Sequence, residues 1–245
     1  MSDQQPAEKE LPSEEELKQL SYRGMVCYAV RCAKRVAILT EHYPELRKKS
    51  EACINAATSY CKARYDADFR DAADAARAAI DIRYGTANIT RDATASVAAA
   101  NLAARATLSA ATAIDNANRA APTGIGSDAT IQDALSAAAD EIATDATDAA
   151  ARAANAAAYA VGAATSAHVE NTVAFDDAIY AAAISAAKAD LKKLRKLPGH
   201  QVVKTVFVGN PIDPSEASEE LGKLWPDAVR QKLLDAIECK KPRDS

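Results

Sequence analysis

From Ser13 onward the apolar residues fall at the three- and four-residue intervals of helices, so the chain reads as all-α. Ser13 with Glu16 fits a capping box, and Leu17, Leu20, Val26, Val30, Val36 and Leu39 carry one apolar stripe to Thr40, with Gly24 a candidate dividing point. Pro44 suits the first turn of a second helix, which Leu46, Cys53, Ile54, Ala57 and Cys61 continue to about Arg64. The stretch from Asp68 to Arg83 sets charges against Ala, Phe69, Ile80 and Ile82 and meets a stop at Gly85. Thr90 can open a run to Arg119, which Pro122, Gly124 and Gly126 end in a loop. Ser127 or Asp128 can open the next helix, from about Thr130 to at least Ala160, with Gly162 a kink or a small contact residue. The pattern resumes from Ala163 to Leu197, interrupted near Asn171.

Both ends read differently. Residues 1–12 are polar, contain Pro6 and Pro12, and are expected to form a disordered tail. After Pro198-Gly199 the β-branched stretch 202–208 suggests a short strand or extended arm. Gly209 to Pro214 is rich in turn formers, Trp225-Pro226 marks an anchored corner, and Asp227 can cap a last helix to about Cys239, ahead of a frayed end. The division expected is a tail over 1–12, an alanine-rich multi-helix bundle over 13–197 and a C-terminal arm with one helix over 198–245.

Composition changes what such a bundle can be. About 60 of the 245 residues are alanine, against three Phe and one Trp. Alanine is the best helix former, yet each methyl buries little area, so stability must accumulate from many small contacts. Between 70 and 190 alanine lies on every helix face, which implies contact on more than one side and close approach of helix axes. No fixed repeat of solenoid length is present, so an antiparallel bundle is favoured, its alanine faces closed within one chain or across a homodimer.

Charge and chemistry narrow the function. A formal charge of −4 and a pI near 5.5, with no basic stretch interleaved with aromatics, argue against a nucleic-acid partner. The acidic start is unlike a signal peptide and no apolar run is expected to span a bilayer, so a cytoplasmic location is expected. Cys27, Cys32, Cys53, Cys61 and Cys239 are odd in number. On helices Cys27 and Cys32 lie about 140° apart and Cys53 and Cys61 about 80°, so neither pair converges as metal ligands, and all five read as reduced thiols.

The common signatures of phosphate loops, nucleophile elbows, zinc helices and redox dithiols are all missing, so the chain reads as neither an enzyme nor a cofactor carrier. His42, His168 and His200 sit in separate segments. Asp71 with Asp74, and Asp145 with Asp148, share helix faces without the Glu-x-x-His partners of a carboxylate-bridged metal site. Asp66 to Asp81, interleaved with Arg64, Arg70, Arg77 and Arg83, make a mixed-charge face suited to solubility or to electrostatic docking. Trp225 reads first as a packing anchor and second as a partner contact.

Cys32, Ala33, Arg35, Val36, Glu41, Tyr43 and Pro44 resemble the opening of the bacterial Imm5-like immunity proteins, an alanine-rich helical family. The stretch Ala163 to Val169 is similar to that family's A-x-A-T-A-H-V segment, followed here by Ile179-Tyr180-Ala181. The chain departs from the pattern at Glu45 to Lys48, at the extra residue within Thr165-Ser166, and at Thr172, where a second His is expected. The resemblance covers roughly 30–190 and implies a protein that binds a cognate toxin and blocks it by occlusion, without catalysis. It directs attention to His42, Tyr43 and His168 as partner contacts, with Trp225 added from the arm. The alternatives are a structural or scaffold bundle, and a metal-binding helical protein using His168 and Glu170.

Overall fold

The computed structural model describes residues 10–64, 66–83, 90–120, 129–165, 167–169, 172–174, 177–198 and 208–239, with the backbone alone over 66–67, 116–143, 165–177, 236–237 and 239 within those ranges. It is all-α in architecture. The helices are α1 (Glu14–Leu17), α2 (Tyr22–Val36, extended by a 3-10 turn over Ala37–Thr40), α3 (Pro44–Lys62), α4 (Asp66–Asp81), α5 (Arg91–Ala120), α6 (Ala129–Thr165), α7 (Asp177–Leu194) and α8 (Asp227–Cys239). The strands β1 (Ala167–Val169) and β2 (Thr172–Ala174) pair as an antiparallel ribbon, with His168 opposite Val173. This ribbon is the interruption expected near Asn171.

Local signals explain most of the starts. Ser13 and Glu16 make the capping box in full, but α1 lasts a single turn. The first helical stretch is divided at Lys18–Ser21 and not at Gly24. Ser21 caps α2 by accepting from the Gly24 N–H at 3.1 Å. Gly24 serves close approach, since a Cβ there would stand 3.1 Å from the Leu20 Cβ. Pro44 occupies the first turn of α3 as its fixed φ allows. The far end of α4 is closed from outside: the buried Lys49 of α3 donates to the Ile80 and Ile82 carbonyls at 2.7 and 2.6 Å, a cation at the negative end of the helix dipole. The expected stop at Gly85, the loop at 121–126 and residues 202–207 of the strand-like stretch lie outside the described residues, as do residues 1–9 of the tail. Of the remaining tail residues, Leu11 packs on the core and Pro12 is buried, so order begins ahead of Ser13.

Helix α5 is the axis of the bundle, packing on α2, α3, α4 and, most extensively, α6; α7 packs on α6 and α2. On α5 the buried alanines Ala99, Ala103, Ala106, Ala110 and Ala113 alternate steps of four and three. On α6 the buried Ala146, Ala150, Ala153, Ala157, Ala160 and Ala164 do the same. That is the 3.5-residue period of a coiled seam, written in methyl groups, so backbone proximity replaces large interlocking side chains. Helix α6 runs unbroken through Gly162, which is buried within it. The segment Arg91–Asp115 is long and apolar enough, by length and composition, to cross a membrane, contrary to the expectation that no run would be, and more than half of it is buried in the bundle. Alanine counts as apolar over any window although each residue has only a methyl to bury.

Larger side chains gather around α2, in which every residue but Lys34 is buried. Tyr28, Tyr60, Leu17, Leu20, Leu194, Ile212 and Leu221 are fully enclosed. Ile212 and Leu221 belong to the arm, so the C-terminal segment completes the core.

Candidate functional site

Helix α2 carries three buried arginines, Arg23, Arg31 and Arg35, each needing an answer to a charge withdrawn from water. Arg31 Nε donates to Asp190 Oδ2 of α7 at 2.8 Å, and Arg35 Nη2 donates to the same oxygen. One carboxylate serves two guanidinium groups, and backbone carbonyls of the arm share the remaining charge. Arg31 donates to the Ser215, Gly222 and Lys223 carbonyls at 3.3, 3.0 and 3.2 Å, and Arg35 to Leu224 at 2.9 Å. Gly222, at φ +66°, supplies the left-handed residue that lets consecutive carbonyls converge there. Trp225 closes the corner: its Nε1 donates to the Arg35 carbonyl at 2.9 Å, and the Arg35 guanidinium lies 5.8 Å from its ring centroid.

Arg23 holds the arm's other end. Its guanidinium donates to Gly209 at 3.0 Å and to Ala63, and stands 4.9 Å from the centroid of Phe69, which meets Tyr60 edge-on. The Arg23 N–H donates to Val208 and the Ile212 N–H to Cys61, at 3.2 and 2.9 Å. This arrangement is a latch between α2, α7 and the arm, in which most polar groups are directed at one another and the buried Arg23 Nε has no hydrogen-bond partner among the described residues.

The residues singled out from the sequence are scattered. Trp225 is 5% exposed and belongs to the latch. Tyr43 and His42 are half-buried at the start of α3. The Tyr43 hydroxyl donates to Thr90 Oγ1 at 3.3 Å while its ring packs against Leu46, Ala93 and Val97. His42 Nε2 is buried with no hydrogen-bond partner among the described residues. His168 sits on β1, far along the chain from that corner, with only its backbone described; His200 and Glu170 lie outside the described residues. Asp227 starts α8 as a first-turn residue, its carboxylate taken by Lys223 at 2.7 Å, with Pro226 preceding it in the cap position. Among the described residues no three His, Cys, Asp or Glu side chains gather in a way that could hold a metal ion. On the mixed-charge face Asp74 pairs with Arg77 at 2.9 Å and Arg70 approaches Asp115 at 3.7 Å, both exposed and worth little to stability.

Cys27, Cys32, Cys53 and Cys61 are free and buried. The thiol pair that does come together, Cys27 with Cys61, bridges α2 and α3; burial and then this contact push the Cys27 thiol well above its ordinary range. Burial pushes Cys32 and Cys53 up to about 11 from an ordinary 9.0. Thiols of the unfolded chain lose their protons first as pH rises, so their contribution to stability is expected to be level below pH 9 and to fall between about 9 and 11. The loss is up to roughly 1.4 kcal/mol per thiol for each unit of separation. Urea midpoints at pH 8 and pH 10.5 measure it, and Cys53→Ala should flatten the fall; an unchanged midpoint in the parent protein would refute the burial argument.

Two large apolar side chains are exposed among the described residues: Tyr159 of α6, at 48%, and Tyr180 of α7, at 37%. They stand on helices that pack together. Tyr159 ends a row of polar residues on α6, Asp145, Asp148, Arg152 and Asn155, that steps by three and four along one outward face, so its exposure has a signal in the sequence. Tyr180 was marked only through the aromatic-Ala segment. Comparison with family models, with curated proteins and with solved structures returns no match to this chain.

Proposed function

We propose that the chain is a non-catalytic, protein-binding bundle of the immunity type, which blocks a bacterial toxin by covering it. The observation that carries this reading is the pair of exposed tyrosines on neighbouring helices, Tyr159 and Tyr180. Tyrosine supplies a large amphipathic contact with few rotors to immobilise, which is why it is enriched where binding energy concentrates. The arginines and tryptophan that could also anchor a partner are engaged in the latch, so they act by holding the scaffold rigid. The half-buried His42 and Tyr43 form a second contact region, at the residues that resemble the immunity family.

Co-expression with each toxin encoded beside its gene tests the reading. Rescue of growth by the parent protein is expected. The double variant Tyr159→Ala/Tyr180→Ala should bind the rescued toxin roughly 30-fold more weakly, about 2 kcal/mol, while its melting temperature holds. Failure to rescue against every neighbouring toxin would leave the scaffold reading in its place.

A further inference from the structure

Arg23 differs from the other two buried arginines of α2. Arg31 and Arg35 share the Asp190 carboxylate, whereas Arg23, at 4% exposure, meets no carboxylate among the described residues. Its Nη1 and Nη2 donate to the Gly209 and Ala63 carbonyls and its guanidinium lies over Phe69, so the charge is met by dipoles and a ring alone. Its Nε is buried and donates to nothing among the described residues. The hydroxyl of Tyr60, a fully buried residue of α3, is likewise without a partner there, and its ring meets the same Phe69 at 5.1 Å. Two buried polar groups on neighbouring helices, gathered around one phenylalanine, thus lack an acceptor; Nε can only donate, and a phenol can donate as well. Burial pulls the Arg23 guanidinium below its ordinary value, and the nearby Tyr60 and Cys61 offset this only in part.

We propose that Arg23 Nε and the Tyr60 hydroxyl bind a small monovalent anion, of the size and charge of chloride, at the junction of α2, α3 and the arm. Such an ion accepts from both donors and also neutralises the guanidinium; a water molecule would satisfy the donors and leave the charge uncompensated. Enclosure sets the size of the ligand. Neither residue reaches far enough into solvent to meet a carboxylate of another protein, and a phosphate brings more oxygens and more charge than two donors can answer. Arg23 also ties the arm, through its own N–H to Val208 and its Nη1 to Gly209, so the bound anion steadies the arm where it meets α2. The site is independent of the toxin reading, which rests on the exposed tyrosines.

Thermal melting of the full chain tests it, with sodium chloride exchanged for sodium gluconate at constant ionic strength. The melting temperature is expected to climb with the logarithm of chloride once the site fills; at about tenfold its dissociation constant, chloride favours the folded state about elevenfold. Bromide should replace it, and crystals grown in bromide should show its anomalous signal beside Arg23 Nε. Arg23→Met should melt at the same temperature in either salt. Should that variant fail to fold, Tyr60→Phe removes one donor, keeps the ring, and should need about tenfold more chloride for the same shift. A melting temperature indifferent to chloride, a variant that responds as the parent does, or bromide-grown crystals with only water beside Arg23 would each overturn the proposal.

Discussion

Asp190→Ala is expected to destabilise the fold by about 3–5 kcal/mol, a large share of the stability of any domain this size. The carboxylate is 2% exposed and is an acidic partner of both Arg31 and Arg35. Removing it leaves two guanidinium groups facing carbonyl dipoles alone, in a site from which water is excluded. Asp190→Asn can keep an oxygen acceptor where both donors converge but carries no charge, and should lose less. Urea unfolding followed by circular dichroism reads the effect. In a double-mutant cycle, Arg35→Ala should cost much less in the Asp190→Ala background than in the parent, since the charge it removes has already lost its partner. A loss under about 1 kcal/mol for Asp190→Ala would mean that the arm's carbonyls suffice and that the carboxylate is not central to the latch.

Trp225→Ala should be nearly as damaging, about 3–5 kcal/mol, because it removes a large buried ring and opens a cavity beside Cys32, Val36 and the alanines of α6 and α7. It also removes the donor to the Arg35 carbonyl, which fixes the end of α2 against the arm. Trp225→Phe keeps most of the apolar volume, and should cost about 1 kcal/mol beyond its smaller size for the lost hydrogen bond. Thermal melting separates this from a surface role: a partner-contact tryptophan would leave the melting temperature of Trp225→Ala unchanged and weaken binding alone. The expected result is a fall in melting temperature with the arm released, seen as faster proteolysis within 208–225.

How much of this could be read beforehand depended on the range of each interaction. Pro44, the Ser13–Glu16 pair and the start of α8 at Asp227 act within one turn, so the helices they begin were readable from neighbouring residues. The sealing role of Trp225 was also visible, as an aromatic beside proline in an alanine-poor segment. The latch was not. Arg31 and Asp190 are 159 residues apart, and an arginine in a helix ordinarily reads as a solvated charge. The alanine seam had a signal that went unread: its alternating three- and four-residue rows on α5 and α6 are hidden among other alanines. Of the candidate contacts, Tyr43 is marked by its motif and Tyr159 by its place at the end of the polar row Asp145, Asp148, Arg152 and Asn155.

Helical class, the positions of most helix starts and the reliance on alanine follow from the sequence by itself, because propensity, capping and periodicity are local properties of the chain. Tertiary structure decided which charges were buried, which thiols met and which tyrosines were left outside. Alanine makes that division sharper than usual. An alanine-rich helix folds readily but has only methyl groups to hold it in place, and here α7 is held against α2 by distant partners: two arginines, one aspartate and the carbonyls of the returning arm.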